Sequence, residues 1–221
     1  MTWGDMSKIL DALCDKAGSP YFNPSEKSIF LNIAMNDFVE TEYEQFEKDG
    51  EHKLRLLPLQ RTFQKANSSF LIIDGGAPND LIDFRYIVRF SATFNATDCN
   101  GNPITITKPI RPSKKDNIDV AKNDPFNKPI DNDPLYSYVN TGTEKRIVVY
   151  STTPPIELEG EFLKNFIEID VTQTATVFEF PKKIGEEVCE LASKKMLGSV
   201  ENYNMAQSLV QDIQQINGSF K

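Results

Sequence analysis

Three glutamates at alternate positions, Glu157, Glu159 and Glu161, are the most suggestive chemical group in this chain. Alternate residues of a β-strand point to the same face, so a strand here would bring the three carboxylates together. Paired carboxylates can carry out general acid–base chemistry, which makes a hydrolase one hypothesis. A solvated strand edge is the simpler interpretation, and we expect no catalytic residue here.

The other residues that could support catalysis or bind a metal are isolated. His52 is the single histidine and lies in a charged stretch, which is typical of a solvated surface residue rather than an oriented base. Cys14, Cys99 and Cys189 are far apart, so no metal-ligand or redox pair is predicted. The run Asp131–Asp133 lacks the spacing of a calcium loop and is interpreted as a turn. We therefore expect no enzyme, no cofactor and no bound metal.

The charge balance excludes several kinds of partner. The 221 residues include 24 basic and 32 acidic side chains, for a formal net charge of −8. Such a surface argues against a protein that grips nucleic-acid phosphates or anionic membranes, although it does not exclude one that DNA merely passes. No apolar run approaches the length of a membrane span, and residues 1–6 do not resemble an export signal. We expect no membrane partner.

Helical patterns occupy both ends of the chain. Asn23, Pro24 and Glu26 form an N-cap signature, and Pro181 opens another helix at a position where its missing N–H costs nothing. Apolar residues recur at helical spacing in each segment, giving one narrow stripe that must pack against another helix. The predicted helices span residues 3–17, 24–48, 182–199 and 202–217.

The middle of the chain has the pattern of strands and turns. The predicted strands are Arg61–Gln64, Ser69–Ile73, Arg85–Phe94, Ile104–Thr107, Lys145–Tyr150, Asn165–Asp170 and Thr176–Phe180. The fold class is therefore α+β, a bundle of N- and C-terminal helices with a β-rich central insertion. We place the helical domain at residues 1–55 and 181–221, and the insertion at 56–180.

A proline-rich stretch at about residues 108–143 is expected to form an extended arm within the insertion. Pro125 and Pro129 flank Phe126 and stiffen the chain around it. Phe126 can anchor this loop on its own domain, or it can pack on a neighbouring subunit with help from Tyr136 and Tyr138. The sequence leaves both alternatives open.

Three segments carry a family resemblance when they are taken in order. Ser19-Pro20-Tyr21-Phe22 before the capped helix, then Asn123-Asp124-Pro125-Phe126-Asn127-Lys128-Pro129, then the helix of Pro181–Leu197 resemble virion ring proteins of crAss-like bacteriophages. In layout the chain is similar to head-to-tail connector proteins such as the tail tubular protein A of short-tailed phages. The resemblance spans nearly the whole chain but contains no catalytic signature.

The resemblance implies a structural virion protein that forms a homo-oligomeric ring, a dodecamer, between the portal and the neighbouring tail or ring proteins. Double-stranded DNA would pass through the acidic lumen without specific binding. The protein would be assembled in the host cytoplasm and reside in the neck or tail of the virion. The family has no catalytic or cofactor residues to carry over.

A second hypothesis comes from the strand-rich middle with its aromatic residues. An adhesin or carbohydrate-binding virion protein built on a β-domain would have the same composition. It would be a monomer or trimer with measurable affinity for glycans, whereas a connector would form a large ring.

Overall fold

The chain divides into two compact units. The computed structural model describes residues 1–16, 22–46, 50–75, 81–113, 115–124 and 126–199. One unit combines Met1–Pro58 with Phe166–Lys221, and the other consists of Leu59–Asn165. The predicted α+β class is confirmed, since helices come first, strands follow and a helix closes the described chain. The second unit ends at Asn165, before the end predicted for the insertion.

Five helices occur in the described ranges: α1 (Trp3–Lys16), α2 (Pro24–Glu44), α3 (Gly50–Leu56), α4 (Lys115–Asn123) and α5 (residues 182–199). A short 3-10 turn, Leu57–Leu59, follows α3. Three of the predicted helices are confirmed as α1, α2 and α5, although α2 ends at Glu44 rather than at 48. The predicted helix over 202–217 lies outside the described residues.

The N-terminal signature of α2 forms as its residue types require. Asn23 Oδ1 accepts a hydrogen bond from the Glu26 backbone N–H at 2.9 Å, and Glu26 Oε2 accepts one from the Asn23 N–H at 2.8 Å. Pro24 occupies the first turn, where an N–H would have no partner inside the helix. This reciprocal cap fixes where the helix starts.

The helices of the first unit pack on one another, as their narrow apolar stripes require. The buried Lys27 Nζ on α2 lies 2.6 Å from Asp11 Oδ1 on α1. Lys195 Nζ on α5 lies 2.5 Å from Asp37 Oδ2 on α2. The buried Cys189 thiol donates to the Met6 carbonyl at 3.7 Å, joining α5 to α1. The two contacts of α5 join segments more than 150 residues apart, which confirms the predicted bundle of terminal helices.

The strands predicted at Asn165–Asp170 and Thr176–Phe180 are wrong. Neither stretch joins a sheet, apart from a single bridge between Thr2 and Val177, and turns occupy residues 171–175 between them. Two of the backbone N–H groups in this part of the chain donate to side chains of α2 instead. Ile169 N–H donates to Asn32 Oδ1 at 2.8 Å, and Val171 N–H donates to Ser28 Oγ at 3.1 Å. The buried side chains of Ile169, Phe178 and Phe180 produce the strand-like pattern, because they pack within the helical unit.

The described residues of the second unit form eight strands in two sheets. The first sheet has the order β1-β8-β3-β4 and is antiparallel throughout; the second has the order β2-β7-β6-β5. The strands are β1 (Gln60–Ala66), β2 (Phe70–Ile73), β3 (Phe84–Thr97), β4 (Pro103–Pro109), β5 (Arg111–Pro112), β6 (Leu135–Asn140), β7 (Lys145–Tyr150) and β8 (Glu157–Lys164).

One apolar core lies between the two sheets, so the second unit is a β-sandwich. The first sheet contributes Phe63, Phe90, Ala92, Phe94, Leu158 and Phe162, and the second contributes Leu71, Tyr136, Ile147 and Val149. The rings of Phe63 and Phe90 meet edge to face, with centroids 5.5 Å apart. Aromatic pairs of this geometry add stabilisation beyond the area they bury.

The proline-rich stretch is not an extended arm along its whole length. Its middle forms α4, whose buried Ile118 and Ala121 pack against Leu135 of β6. No proline occurs between Pro112 and Pro125, so the chain between them is free to become helical. The predicted extended conformation is therefore wrong for Lys115–Asn123.

Candidate partner-binding site

The loop after α4 holds an aromatic ring out into solvent. Asp124 Oδ1 accepts a hydrogen bond from the Phe126 N–H at 2.9 Å, and Asp124 Oδ2 accepts one from Asn127 Nδ2 at 2.6 Å. These bonds to the charged carboxylate, above all the one from Phe126, hold the pKa of Asp124 below its usual value. The Phe126 side chain remains 94% exposed, the most exposed large apolar residue described. The alternative in which Phe126 anchors the loop on its own domain is therefore wrong.

The loop is fixed to the sandwich on both sides of Phe126. Before it, Asp124 N–H donates to the Val120 carbonyl at 3.1 Å, which continues the last turn of α4. After it, Pro129 is buried, and the Thr153 N–H and hydroxyl both donate to the Asp131 carboxylate at 2.8 Å. The predicted turn at Asp131–Asp133 is confirmed. Phe126 thus stands on a loop that is ordered by bonds at both ends.

A salt bridge fastens the far end of this loop to β5. Arg111 Nε donates to Asp133 Oδ1 at 2.6 Å, and a second guanidinium nitrogen contacts Oδ2 of the same carboxylate. The hydrogen bonds that Arg111 donates to the Asp133 carboxylate raise the pKa of Arg111 further above its usual value. A two-pronged contact of this kind fixes orientation as well as distance.

The two tyrosines predicted to help Phe126 have different environments. Tyr136 is only 8% exposed and lies in the sandwich core, with its ring 5.4 Å from that of Phe90. Burial raises the pKa of its phenol. Tyr138 is half-exposed, and its ring lies 5.9 Å from Tyr136. Tyr136 can therefore reach a partner only indirectly, whereas Phe126 and Tyr138 are available for direct contact.

A cleft of about 390 Å³ adjoins the same loop. It is lined by Ser69, Lys122, Lys128, Pro129 and residues 149–154. Lys122 Nζ lies 4.8 Å above the ring of Tyr150, in a cation–π contact. Sequence reasoning missed this cleft, because its walls come from α4, the loop and β7. The two lysines give this cleft a positive lining that can hold an acidic side chain of another protein.

The three glutamates that suggested catalysis do share one face of a strand. However, β8 lies between β1 and β3, so the predicted strand edge is wrong. Gln64 Nε2 donates to Glu157 Oε1 at 2.6 Å, and Gln60 donates to Glu161. Glu159 and Glu161, with Arg89, line part of a shallow polar cleft of about 280 Å³. The carboxylates of Glu157 and Glu161 therefore accept hydrogen bonds from neutral amide groups.

His52 is not the solvated residue that was predicted. Its side chain is 29% exposed, and its Nδ1 lies 2.7 Å from Oε2 of the buried Glu42. The histidine therefore belongs to a charged cluster of the helical unit. In the described ranges, no group of three or more histidine, cysteine, aspartate or glutamate side chains is arranged to hold a metal ion.

Removing divalent metals is expected to leave the fold and any assembly unchanged. The reason is that the described carboxylates of the loop and of β8 bind N–H groups rather than converging on one point. Thermal melting and particle mass measured before and after chelation test this expectation. A fall of several degrees in the melting temperature on chelation, restored by added metal, would contradict it.

No helix in the described part of the chain is long and apolar enough to cross a lipid bilayer. No protein-family model and no curated protein sequence matches the chain.

Proposed function

We propose that this protein is a ring-forming head-to-tail connector of a bacteriophage virion. In this role it links the portal to the tail and conducts the double-stranded DNA genome. The ring is a dodecamer in the neck or tail, assembled in the host cytoplasm. The observation that supports this proposal best is Phe126, a fully exposed aromatic ring on a loop fixed at both ends.

The exposed phenyl group of Phe126 is suited to a contact between proteins. Burying a phenylalanine side chain is worth about 1.5–3 kcal/mol from the removal of apolar surface. Because Asp124 and Asp131 already hold the loop, little conformational entropy is lost when the ring docks. Aromatic anchors of this type commonly dominate the binding energy of an interface.

The charge of the chain suits a channel for DNA. Each copy carries a formal net charge of −8, so a ring of copies is strongly acidic. An acidic lumen repels the phosphate backbone and lets the genome slide without specific binding. A protein that grips DNA would need the opposite charge.

The mass of the purified particle tests the proposal most directly. Light scattering or native mass spectrometry should give about 300 kDa, corresponding to roughly twelve chains of 25.0 kDa. A monomer at all concentrations, including in the presence of portal protein, would overturn the proposal.

Replacing Phe126 with alanine should leave the chain folded but weaken assembly. Loss of a contact worth about 2 kcal/mol corresponds to roughly a 30-fold weaker affinity at each interface. The measurements are the melting temperature and the protein concentration at which the particle, or its complex with a neighbouring ring, dissociates. Val177→Ala is a matched control, since this side chain is also exposed, at 69%, and lies in the other unit. Assembly of Phe126→Ala at the wild-type concentration would refute the role of Phe126.

The polar cleft on the first sheet favours a second candidate function, that of an adhesin or carbohydrate-binding virion protein. Thr62, Gln64, Arg89, Glu159 and Glu161 present hydroxyl, amide and charged groups that can bond to sugar hydroxyls. This protein would be a monomer or trimer. Binding to a glycan array, lost on Arg89→Ala, would favour it over the connector.

A further inference from the structure

The two outer strands of the first sheet have open sides. Among the described residues, β1 pairs with β8 alone and β4 pairs with β3 alone. Each open strand is seven residues long and largely exposed. An open strand of this length is a template for another strand, and proteins usually cover it or protect it with charge or proline.

The directions of these strands allow one copy of the sheet to continue into the next. Every neighbouring pair in the order β1-β8-β3-β4 is antiparallel, so β1 and β4 run in opposite directions. When a second copy is placed in the same orientation beside the first, its β1 lies antiparallel to β4. The ladder therefore continues across the junction with no change of pairing type.

The central side chains also match when the two strands overlap fully. Ile106 of β4 is on the core side with its β3 partner Phe94, and Phe63 of β1 lies in the same core. Full overlap brings Ile106 opposite Phe63 on the core face, and Thr105 and Thr107 opposite Gln64 and Thr62 on the outer face. The flanking pairs on the core face are Ile104 with Lys65 and Lys108 with Arg61, so the apolar match is confined to the centre of the junction.

Proline limits the pairing to this register. The only like-charged pair in the full overlap is Lys108 with Arg61, next to the strand end. Pro103 and Pro109 are the end residues of β4 and cannot donate to a ladder. In the full overlap they lie opposite the ends of β1, and a slip of two residues moves one of them toward its middle. Lys65 is held over the Phe70 ring at 5.1 Å, which keeps its charge on its own sandwich.

We propose that β4 of one copy pairs with β1 of the next copy, so that the first sheets of all copies form one continuous antiparallel sheet. This inference rests on the proposed ring, and it identifies the contact that joins the copies. The contact uses two different surfaces of the chain and therefore repeats from copy to copy, as a ring requires. Pairing of β4 with β4 would instead stop at a dimer.

Paired cysteines at the junction test this contact. The variant carries Thr62→Cys and Thr107→Cys, both at exposed positions, with the exposed native Cys99 replaced by serine. Cys14 and Cys189 are buried, and burial raises the pKa of Cys189 to about 12, so neither competes for the reagent. Within one chain the two new cysteines lie three strand spacings apart, roughly 14 Å, too far for a disulfide.

Oxidation, or a short thiol cross-linker, should produce a ladder of covalent oligomers up to the size of the ring. Neither single-cysteine variant should produce it, and neither should Thr62→Cys with Thr143→Cys, which places the second thiol at an exposed turn of the other sheet. Dimers from Thr62→Cys alone, without the ladder, would overturn the inference in favour of a two-fold contact.

Particle mass and hydrogen exchange separate this inference from the proposed function. If the particle has the mass of a ring but the paired cysteines give no series of covalent oligomers, the strand pairing is contradicted and the proposed connector function is not. A monomer would overturn both. In the wild-type ring, amides of residues 61–65 and 104–108 should exchange at least tenfold more slowly than in the dissociated chain. Equal exchange in the two states would overturn the pairing even if the cysteine variant failed to assemble.

Discussion

Gly160→Ala is expected to lower the melting temperature of the β-sandwich by roughly 12 °C. We expect the added methyl group to cost about 3 kcal/mol of stability, and each kcal/mol lowers the melting temperature of a domain of this size by about 4 °C. Gly160 lies at the centre of β8, between β1 and β3. A Cβ atom there would lie 2.1 Å from the Arg89 carbonyl oxygen and 2.8 Å from Cζ of Phe63. The first contact is with backbone, so no change of side-chain rotamer can relieve it. Calorimetry or circular dichroism can follow the transition.

Two variants separate a steric effect from a general effect of losing glycine. A Cβ at Gly50 meets nothing within 4 Å, so Gly50→Ala should leave the melting temperature unchanged within about 2 °C. Adding Phe63→Leu to Gly160→Ala removes the ring contact but not the contact with Arg89, so stability should not recover. If the Gly160→Ala protein melted at the same temperature as the wild type, β8 and β3 would be able to move apart with little loss of stability, and the steric argument would be wrong.

Arg55→Met should destabilise the helical unit by about 3 kcal/mol, the lower end of the range for breaking a buried ion pair. Arg55 Nη1 lies 2.7 Å from Oε1 of Glu42, whose side chain is only 6% exposed. The same guanidinium contacts Glu187 on α5 and lies 4.9 Å above the ring of Phe38. The substitution leaves the buried Glu42 carboxylate in contact with His52 but without its guanidinium partner. Denaturant unfolding measures the loss.

A double-mutant cycle can test whether the loss of stability comes from the unpaired carboxylate of Glu42. Arg55→Met combined with Glu42→Leu removes both charges, so part of the stability should return. Lys182→Met is the control, because its pair with Glu186 is mostly exposed and worth at most about 1 kcal/mol. If the double variant were less stable than Arg55→Met, the unpaired carboxylate would not be the cause.

The helices could be predicted where a local signal fixes them. The cap formed by Asn23 and Glu26 begins α2, and Pro181 immediately precedes α5. Helix α4 was missed because the density of prolines around it was taken as a sign of extended chain. The spacing of Ile118 and Ala121, without an intervening proline, was the available signal.

The errors at Asn165–Asp170 and Thr176–Phe180 have a different cause. Alternating apolar residues show that a segment is extended and half-buried, but they do not show what accepts its hydrogen bonds. The acceptor at Ile169 is Asn32, 137 residues away, and the acceptor at Phe178 is the Met1 carbonyl. The cluster of Glu42, Arg55 and His52 was equally beyond prediction, because it forms only when α2 and α3 pack together.

The candidate site was predicted in part. Phe126 stood out because prolines flank it, and the structure places it in solvent. Tyr136 and Tyr138 are alternate residues of β6, and the pattern alone did not show that Tyr136 faces the core. The open sides of β1 and β4 depend on the strand order, which the sequence does not specify locally.

The sandwich also affects the order in which the chain can fold. Its first and last strands, β1 and β8, are neighbours, with Gln60 opposite Leu163. Once the sandwich forms, its entry and exit are held about 4.8 Å apart. The loop between Asn32 and Ile169 then shrinks from 137 residues to an effective length of roughly 30, which makes closure about tenfold more probable. Residues 59–165 leave the ribosome before residues 166–199, so the insertion can fold first and bring together the two chain segments from which the helical unit forms.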